Sequence, residues 1–463
     1  MKLNKLFLLA AMGLGLFACN NNDLVEGSAP NGTQEEGTTY VGFSIDFENM
    51  GTRATEKGID PDEQTITSAY VVMTNNDGII EAVAKTSKAG TSSNAGKQCY
   101  VFQTTPGLHC FYAVANPDAQ AETQLTVGED IDNYFNTATT LDVATITSAN
   151  NFMMSSVERY PADVKDNVTE AEALAGTANS FSLKIERVVA KVTMTCDNET
   201  LANSSNEAGG GTIDGTKFTL KDGASKSYRM AQASIQEISG NTYDKNSAPT
   251  LVYIKGTDPS EEVDYIYRSA TPVYCLENLH NNYYQKNTTY VDIETTFTPA
   301  KVVNCLDQLD VTPDNNLKNN STTGSFFVVG SGEHAQNYLM KADLLTWQKT
   351  KTYITEEQFK SGEISKNPAH FPAGVESISD EYINGKCFFG PIWIGQATAD
   401  APTAPVTRNT WYNLKITGIK LPGEPHEPEI DDTGETPLVP PTNVAITLTV
   451  MPWNFIDRPI ELQ

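Results

Sequence analysis

Beyond its first 20 residues the chain has no apolar run long enough to cross a bilayer as a helix. Its seven cysteines contain no CxxC pair and its five histidines no HExxH, and neither a GxSxG elbow nor a GxxxxGK loop occurs. These absences remove the sequence grounds for a helical membrane span, the common zinc spacings, a hydrolase nucleophile and a phosphate-cradling loop. His109, His280, His334, His370 and His426 are scattered, and none has a nucleophile paired with it. Basic residues are few, 32 against 58 acidic, for a net charge of −26. Without residues 1–53, which hold three basic and six acidic residues, the charge is −23. So acidic a surface argues against nucleic acid and anionic membranes as partners. The acidic run from Glu429 to Glu435 lacks EF-hand spacing and reads as a solvated tether rather than a cation site. Trp347, Trp393, Trp411 and Trp453 read as core residues of strands rather than a sugar-binding row. No catalytic, cofactor-binding or metal-ligating residue is assigned, and the chain reads as a non-enzyme.

Helical periodicity is scarce as well. Thr, Asn, Ser, Gly and Tyr are abundant, and short apolar alternations recur between turn clusters, so the class is mostly β. Roughly 400 residues beyond the N-terminal region suggest two domains with cores of ordinary size.

The first stretch, MKLNKLFLLAAMGLGLFAC, has the form of an export signal: Lys2 and Lys5, an apolar run from Leu6 to Phe17, and Ala18 before Cys19. Its closing cysteine resembles that of bacterial lipoprotein signals, where it becomes diacylated and is the new first residue; Phe17 departs from the usual small residue. The other reading is an ordinary secretory signal with an incidental cysteine. Residues Asn20 to Thr38 look like a flexible spacer.

Two segments far apart in the sequence share one pattern. YVGFSIDF places Val41, Phe43, Ile45 and Phe47 on alternate positions, and TNVAITLTV does the same with Val444, Ile446, Leu448 and Val450. The first is followed by NMGTRATEKG, where Arg53 and Ala54 stand in a small, polar setting of the kind proteases cut. The second leads through Pro452 and Trp453 to a weaker alternation with Ile456, Ile460 and Leu462. It follows LPGEPHEPEIDDTGETPLVPP (Leu421 to Pro441), which reads as a stiff acidic tether. A hydrophobic strand on a tether is an aggregation hazard unless a groove receives it. Alternation alone does not say whose sheet it joins.

Between these ends, strands are expected at Ala69 to Thr74, Ile79 to Ala84, Cys99 to Thr104 and Leu108 to Ala115. Short helices are expected near Asp130 to Phe135, Glu170 to Ala175 and Thr355 to Gly362, the last with Thr355 as N-cap. Thr104 to Gly107 suggests a hairpin that sets Cys99 beside Cys110, as a disulfide or as free thiols. Ser180 to Cys196 changes phase around Arg187 and Val188, the mark of a bulge, bend or sheet crossing, and is taken as the last strand of the first domain.

In their order, the RVVAKVTM strand, ENLHNN with NTTYVDIETTFTP, RNTWYNLKITGIKLPG and the terminal LTVMPWNFIDRPIEL resemble the Bacteroidales fimbrillins, the subunits of type V pili. The strongest likeness is to major subunits of short fimbriae, and it covers nearly the full length. The resemblance implies an all-β fold of two tandem transthyretin-like β-sandwich domains with minor helices. It also implies lipidation at Cys19, removal of an N-terminal strand by an arginine-specific surface protease between Arg53 and Ala54, and a donor strand at Val444 to Val450 with Trp453. The expected organisation is a signal at 1–19, a spacer and removable strand at 20–53, an N-terminal domain at 54–196, a C-terminal domain with its tether at 197–441, and a donor strand at 442–463.

Two readings follow from this. One is the shaft subunit of a surface fimbria, outer-membrane anchored as a precursor. It polymerises with itself, with anchor and tip subunits as partners, and supports adhesion. The other is a monomeric surface lipoprotein or tip adhesin that binds a glycan or host protein.

Overall fold

The computed structural model describes residues 38–47, 63, 65–86, 99–197, 210–244, 248–255, 271–305, 317–329, 337–395, 403–419, 422–439 and 444–452. Cys19, Arg53, Ala54, Trp453, Ile456, Ile460 and Leu462 lie outside them.

The N-terminal part is strand-built because its apolar residues alternate or run in short β-branched stretches bounded by turns. Its elements are β1 (Thr39–Phe47), β2 (Ala69–Thr74), β3 (Ile80–Thr86), β4 (Cys99–Thr104), β5 (Gly107–Ala115), α1 (Ala121–Gln124), α2 (Asp132–Phe135), β6 (Thr139–Thr140), α3 (Val143–Ile146), β7 (Met154–Ser156), β8 (Tyr160–Val164), α4 (Glu170–Ala175) and β9 (Ser180–Arg187). Eight of these strands form one sheet in the order β3-β2-β5-β7-β9-β1-β4, with β8 on β5. The sheet curls until Thr104 of β4 reaches Met73 of β2, 3.0 Å between Oγ1 and Sδ. Its two halves therefore face a single core around Phe43, Val72, Phe111, Phe135 and Ile185.

The C-terminal part contains β10 (Val189–Asp197), β11 (Gly211–Lys221), β12 (Gly223–Ala224), β13 (Lys226–Ser227), β14 (Tyr243–Asp244), β15 (Thr250–Leu251), β16 (Tyr253–Lys255), β17 (Val273–Leu276), β18 (Tyr290–Pro299), β19 (Lys301–Val303), β20 (Leu317–Asn319), β21 (Phe326–Val329), β22 (Asn337–Met340), α5 (Lys341–Thr350), α6 (Glu356–Ser361), β23 (Lys386–Trp393), β24 (Thr410–Ile419) and β25 (Val444–Pro452). A five-stranded sheet, β16-β10-β24-β25 with β17 on β10, faces a four-stranded sheet, β15-β11-β18-β23. Alternate residues of both fill the space between: Val192 and Met194 of β10 and Leu414 and Ile416 of β24 meet Phe218, Ile293 and Phe389. This is a β-sandwich, its inner faces apolar by period-two alternation. Between the neighbouring strands β18 and β23 the chain makes an excursion through β19 to β22, α5 and α6, with a small core of its own around Phe327, Leu339 and Leu344.

Three expectations meet a different arrangement. The stretch from Ser180 to Cys196 is two strands, and the change of phase is a sheet crossing. Val188 lies between β9, which pairs with β1 and β7, and β10, which pairs with β17, β24 and β16. The second half thus belongs by its pairing to the C-terminal sheet, because both Val188 and Val189 are buried and the backbone must turn to keep them so. The Cys99/Cys110 hairpin does not form: β4 pairs with β1, β5 pairs with β2, β7 and β8, and Cys110 is a buried free thiol. Both edges of β5 are taken, by β2 on one side and by β7 and β8 on the other, and the place beside β4 is filled by β1. The tether is not free either. Residues 422–439 lie docked along the four-stranded sheet, and they are described below.

The short helices follow their caps. α6 starts at Thr355 in a reciprocal capping box with Gln358 and ends at Gly362, at φ 73°. α4 does the same with Thr169, Glu172 and Gly176.

Candidate strand-exchange site

β1 is an interior strand. It runs parallel to β9, with Phe43 opposite Phe181 and Ile45 opposite Leu183, and antiparallel to β4, with Phe43 opposite Tyr100. Both of its edges are therefore hydrogen-bonded, and its period-two pattern sends Val41, Phe43 and Ile45 into the core, at 0, 3 and 0% exposure. The Phe43 ring packs against Phe111 at 4.7 Å, Phe102 at 5.5 Å and Phe181 at 5.9 Å, three rings from three other strands. The side chain of Phe47 lies outside the described residues.

The opposite face of β1 is covered by α4. A Cβ on Gly42 would stand 2.5 Å from the carbonyl oxygen of Ala173, so only glycine lets the helix lie this close. Polar contacts fix the start of the strand. Thr39 Oγ1 donates to the carbonyl of Lys165 at 2.8 Å and accepts from the amide of Val168 at 3.0 Å. Asn179 Nδ2 donates to the carbonyls of Tyr40 (3.0 Å) and Lys165 (2.8 Å), while its backbone carbonyl accepts from the Gly42 amide at 2.8 Å. The segment 165–179 thus holds β1 from outside the sheet. Sequence reasoning missed Thr39, Gly42 and Asn179. The signal for Gly42 was there: a glycine in the middle of a strand often marks a close backbone approach.

β25 occupies the opposite kind of position. Among the described residues it pairs with β24 alone, antiparallel, from Thr410 opposite Pro452 through Leu414 opposite Leu448 to Ile419 opposite Val444. Among those residues it is the edge of its sheet. Val444, Ile446, Leu448 and Val450 stand in register with Ile419, Ile416, Leu414 and Tyr412, and the half-buried Ile446 side chain packs on the sandwich core. The terminal strand is thus paired with its own chain in this structure.

The segment leading to β25 is held along its length. Tyr382 Oη donates to the Gly423 carbonyl at 2.8 Å, and Glu424 exchanges backbone hydrogen bonds with Phe388 at 2.7 and 2.9 Å. Lys221 pairs with Glu427 at 2.6 Å, Gln285 donates to Pro437, and the Trp393 indole donates to the Val439 carbonyl at 2.9 Å. Leu438 packs with Tyr283, Tyr290 and Trp393. Asp431 closes its own turn by accepting from Thr436, Gly434 and Thr433, and these bonds hold its carboxyl well below the usual range. The acidic run therefore spends part of its charge on local turn bonds. Among the described residues no group of three or more His, Cys, Asp or Glu is placed to hold a metal.

A belt of buried charge lies between the two parts of the chain. Glu63, 1% exposed, accepts from Lys191 Nζ at 2.7 Å and from Tyr274 Oη at 2.8 Å, and its carbonyl accepts from Arg187 Nε at 3.0 Å. Arg229 pairs with Asp118 at 2.6 Å, and Arg408 with Glu277 at 3.0 Å, while Arg408 Nη1 donates to the Arg229 carbonyl at 3.1 Å. Lys191 also stands 4.7 Å from the centre of the Trp411 ring of β24. The first described residue beyond Arg53 is thus tied to the sheet that carries β25.

No curated protein matches the sequence. Among solved structures, a fimbrilin of Porphyromonas gingivalis superposes with a TM-score of 0.45 at 14% identity, over 91% of this chain and 99% of that one. The tip fimbrial protein Mfa3 of Porphyromonas gingivalis, truncated at its C-terminus, gives 0.41 at 14% identity, over 90% and 100%. Neither superposition carries an argument. Residues 380–458, which hold β23, the docked segment, β24 and β25, match the family model of the major fimbrial subunit protein type IV, fimbrillin, C-terminal, so this part of the chain is similar to the C-terminal region of fimbrillins.

Proposed function

We propose that this chain is the polymerising shaft subunit of a cell-surface fimbria. It is exported as a lipoprotein precursor acylated at Cys19 and cut between Arg53 and Ala54 by an arginine-specific protease. It is then joined to its neighbours by strand exchange and contributes to adhesion. The observation that carries this reading is the contrast between β1 and β25. β1 is laddered on both edges and buried, and it lies on the N-terminal side of the proposed cut, so that cleavage would sever its covalent link to the other strands. β25 has the same length of nine residues and the same apolar alternation, but among the described residues it has a ladder on one edge only.

Removal of β1 leaves a slot flanked by β9 and β4 and floored by Phe102, Phe111 and Phe181. A strand that moves from a sheet edge into such a slot of a neighbouring subunit buries its alternate apolar side chains there and gains a second ladder. Each anchored side chain is worth about 1.5–3 kcal/mol, and the backbone ladder fixes direction and register. Since the donating and accepting surfaces differ, the contact does not close on itself, and it builds a filament.

The second reading is a self-contained surface lipoprotein or tip adhesin that binds a glycan or host protein. The pairing of β25 with its own β24 is the observation on its side. A reversible lock separates the two. Lys415 and Thr447 stand directly opposite each other across β24 and β25. The variant with Lys415→Cys and Thr447→Cys, oxidised, is expected to stay folded, to be cut normally and to form no polymer, and reduction is expected to restore polymer. Undiminished polymer from the oxidised protein sinks the strand-exchange reading. Deletion of Thr442 to Gln463 tests the same point without a disulfide and should give a secreted monomer.

A further inference from the structure

Asp292 lies on β18 and is 4% exposed, and neither of its buried carboxylate oxygens has a hydrogen-bond partner among the described residues. A buried ionised carboxylate without partners is strongly disfavoured, and such a group takes up a proton or a cation instead. Its surroundings are specific. It faces away from the sandwich core, since its neighbours Val291 and Ile293 fill that core. β23 approaches so closely that a Cβ on Gly390 would stand 2.2 Å from Asp292 Oδ1. Along β18, Tyr290 packs on Trp393 beneath Leu438 of the docked segment. Glu294, two residues on, is paired with Lys386 of β23 at 2.9 Å.

The charges around Asp292 come from β11 and from the docked segment. Lys221 of β11 favours its ionisation, while Glu427 of the docked segment and Asp222, just after β11, oppose it. Lys221 is itself engaged by Glu427 at 2.6 Å, and Asp432 adds a further negative charge toward Tyr290. These charges act in opposite directions, and burial tips the group toward a bound proton. Among the described residues these carboxylates are not placed to hold a metal together.

We propose that Asp292 is a proton-binding site that sets how firmly residues 422–439 are docked: a proton on its carboxyl lets the segment close over it, and loss of that proton pushes the segment off. Burial, ahead of the neighbouring charges, pushes the Asp292 carboxyl up to about 7. With the segment lifted and water admitted, the group returns toward the ordinary carboxylate range, so the docked state binds the proton more tightly. Docking is therefore firmest in acid, weakens as the pH rises through about 4 to about 7, and is level above that, by at most about tenfold in the docking equilibrium per pH unit. Since this segment leads directly into β25, rising pH would loosen the root of the terminal strand. That consequence for assembly rests on the strand-exchange reading above, whereas docking itself does not.

The test is hydrogen exchange by mass spectrometry on the uncut monomeric protein between pH 5 and 8, corrected for intrinsic exchange rates. It follows peptides that contain the amides of Glu424 and Asp431, which donate to Phe388 and to Gln285. The wild-type peptides should lose protection as the pH rises to about 7, while Asp292→Asn, neutral at every pH, should show a flat profile. Should Asp292→Asn fail to fold, Glu427→Gln serves, because removal of an opposing charge should move the midpoint to lower pH. The proposal is overturned by a pH-independent wild type, by the same profile in wild type and Asp292→Asn, or by an unmoved midpoint in Glu427→Gln. It is also overturned if calcium at neutral pH restores protection in the wild type alone, which would make the site one for a cation. Polymer yield is read separately, so failure of strand exchange leaves this result intact.

Discussion

Phe43→Ala tests whether β1, which the proposed processing would remove, still stabilises the filament. The Phe43 ring is 3% exposed and touches rings on β4, β5 and β9, which are held by three different strand pairings and cannot easily collapse into the space. Truncation of such a phenylalanine costs about 3–5 kcal/mol, from the lost transfer energy plus the cavity left behind. The uncut precursor should lose that much in a urea titration followed by far-ultraviolet circular dichroism. If the protease removes β1 and a neighbour's strand takes its place, filaments made from the variant should resist heat and urea as the parent filaments do. A matching fall in filament stability would mean that β1 is retained in the polymer, and a precursor loss below about 1 kcal/mol would mean that Phe43 does not anchor the sheet.

The other expectations concern the buried charges, the thiols and the docked segment. Lys191→Met takes the ammonium from the buried Glu63 carboxylate and should destabilise the protein by about 3–5 kcal/mol, while the double variant with Glu63→Gln should recover much of the loss; equal urea midpoints for the single and double variants would contradict the pairing. Cys275, Cys305 and Cys387 are pushed up to about 12 by burial, so at pH 8 an aromatic disulfide reagent should label them only after urea is added, and rapid labelling of the native protein would contradict their burial. A Cβ on Gly423 would meet the Phe388 carbonyl oxygen at 2.0 Å, so Gly423→Ala should expose residues 422–439 to limited proteolysis without unfolding the sandwich, and an unchanged digestion pattern would contradict that close contact.

Much of this architecture is legible in the chain because short-range rules govern it. The alternation in β1 and β25 and the caps at Thr355 and Gly362 each depend on a few neighbouring residues, and the structure follows them. What depends on distant partners is not legible. The phase change at Val188 announces an irregularity, but the partner of β10, 220 residues away in β24, decides that it is a crossing between sheets. The proline-rich acidic segment looks unfoldable by composition, yet it docks because Trp393, Gln285 and Lys221 stand ready to receive its carbonyls and charge. The helix α5 escapes a reading by apolar stripe because one of its two buried positions is Gln348, whose amide bonds to the carbonyls of Ser365 and His370. Asp292 is likewise invisible in TYVDIETTF, since burial of a carboxylate is a property of the bulge at Gly390 and of the segment above it.

The central claim is that β1 leaves and a neighbour's terminal strand replaces it. Its most direct test is the intact mass of the chain recovered from filaments on the cell surface, with a denaturing gel run without boiling. The account predicts a chain that begins at Ala54, in a ladder of high-mass species that collapses on heating. A chain that still begins at an acylated Cys19 and runs as a monomer would contradict it and point to an anchored binding protein.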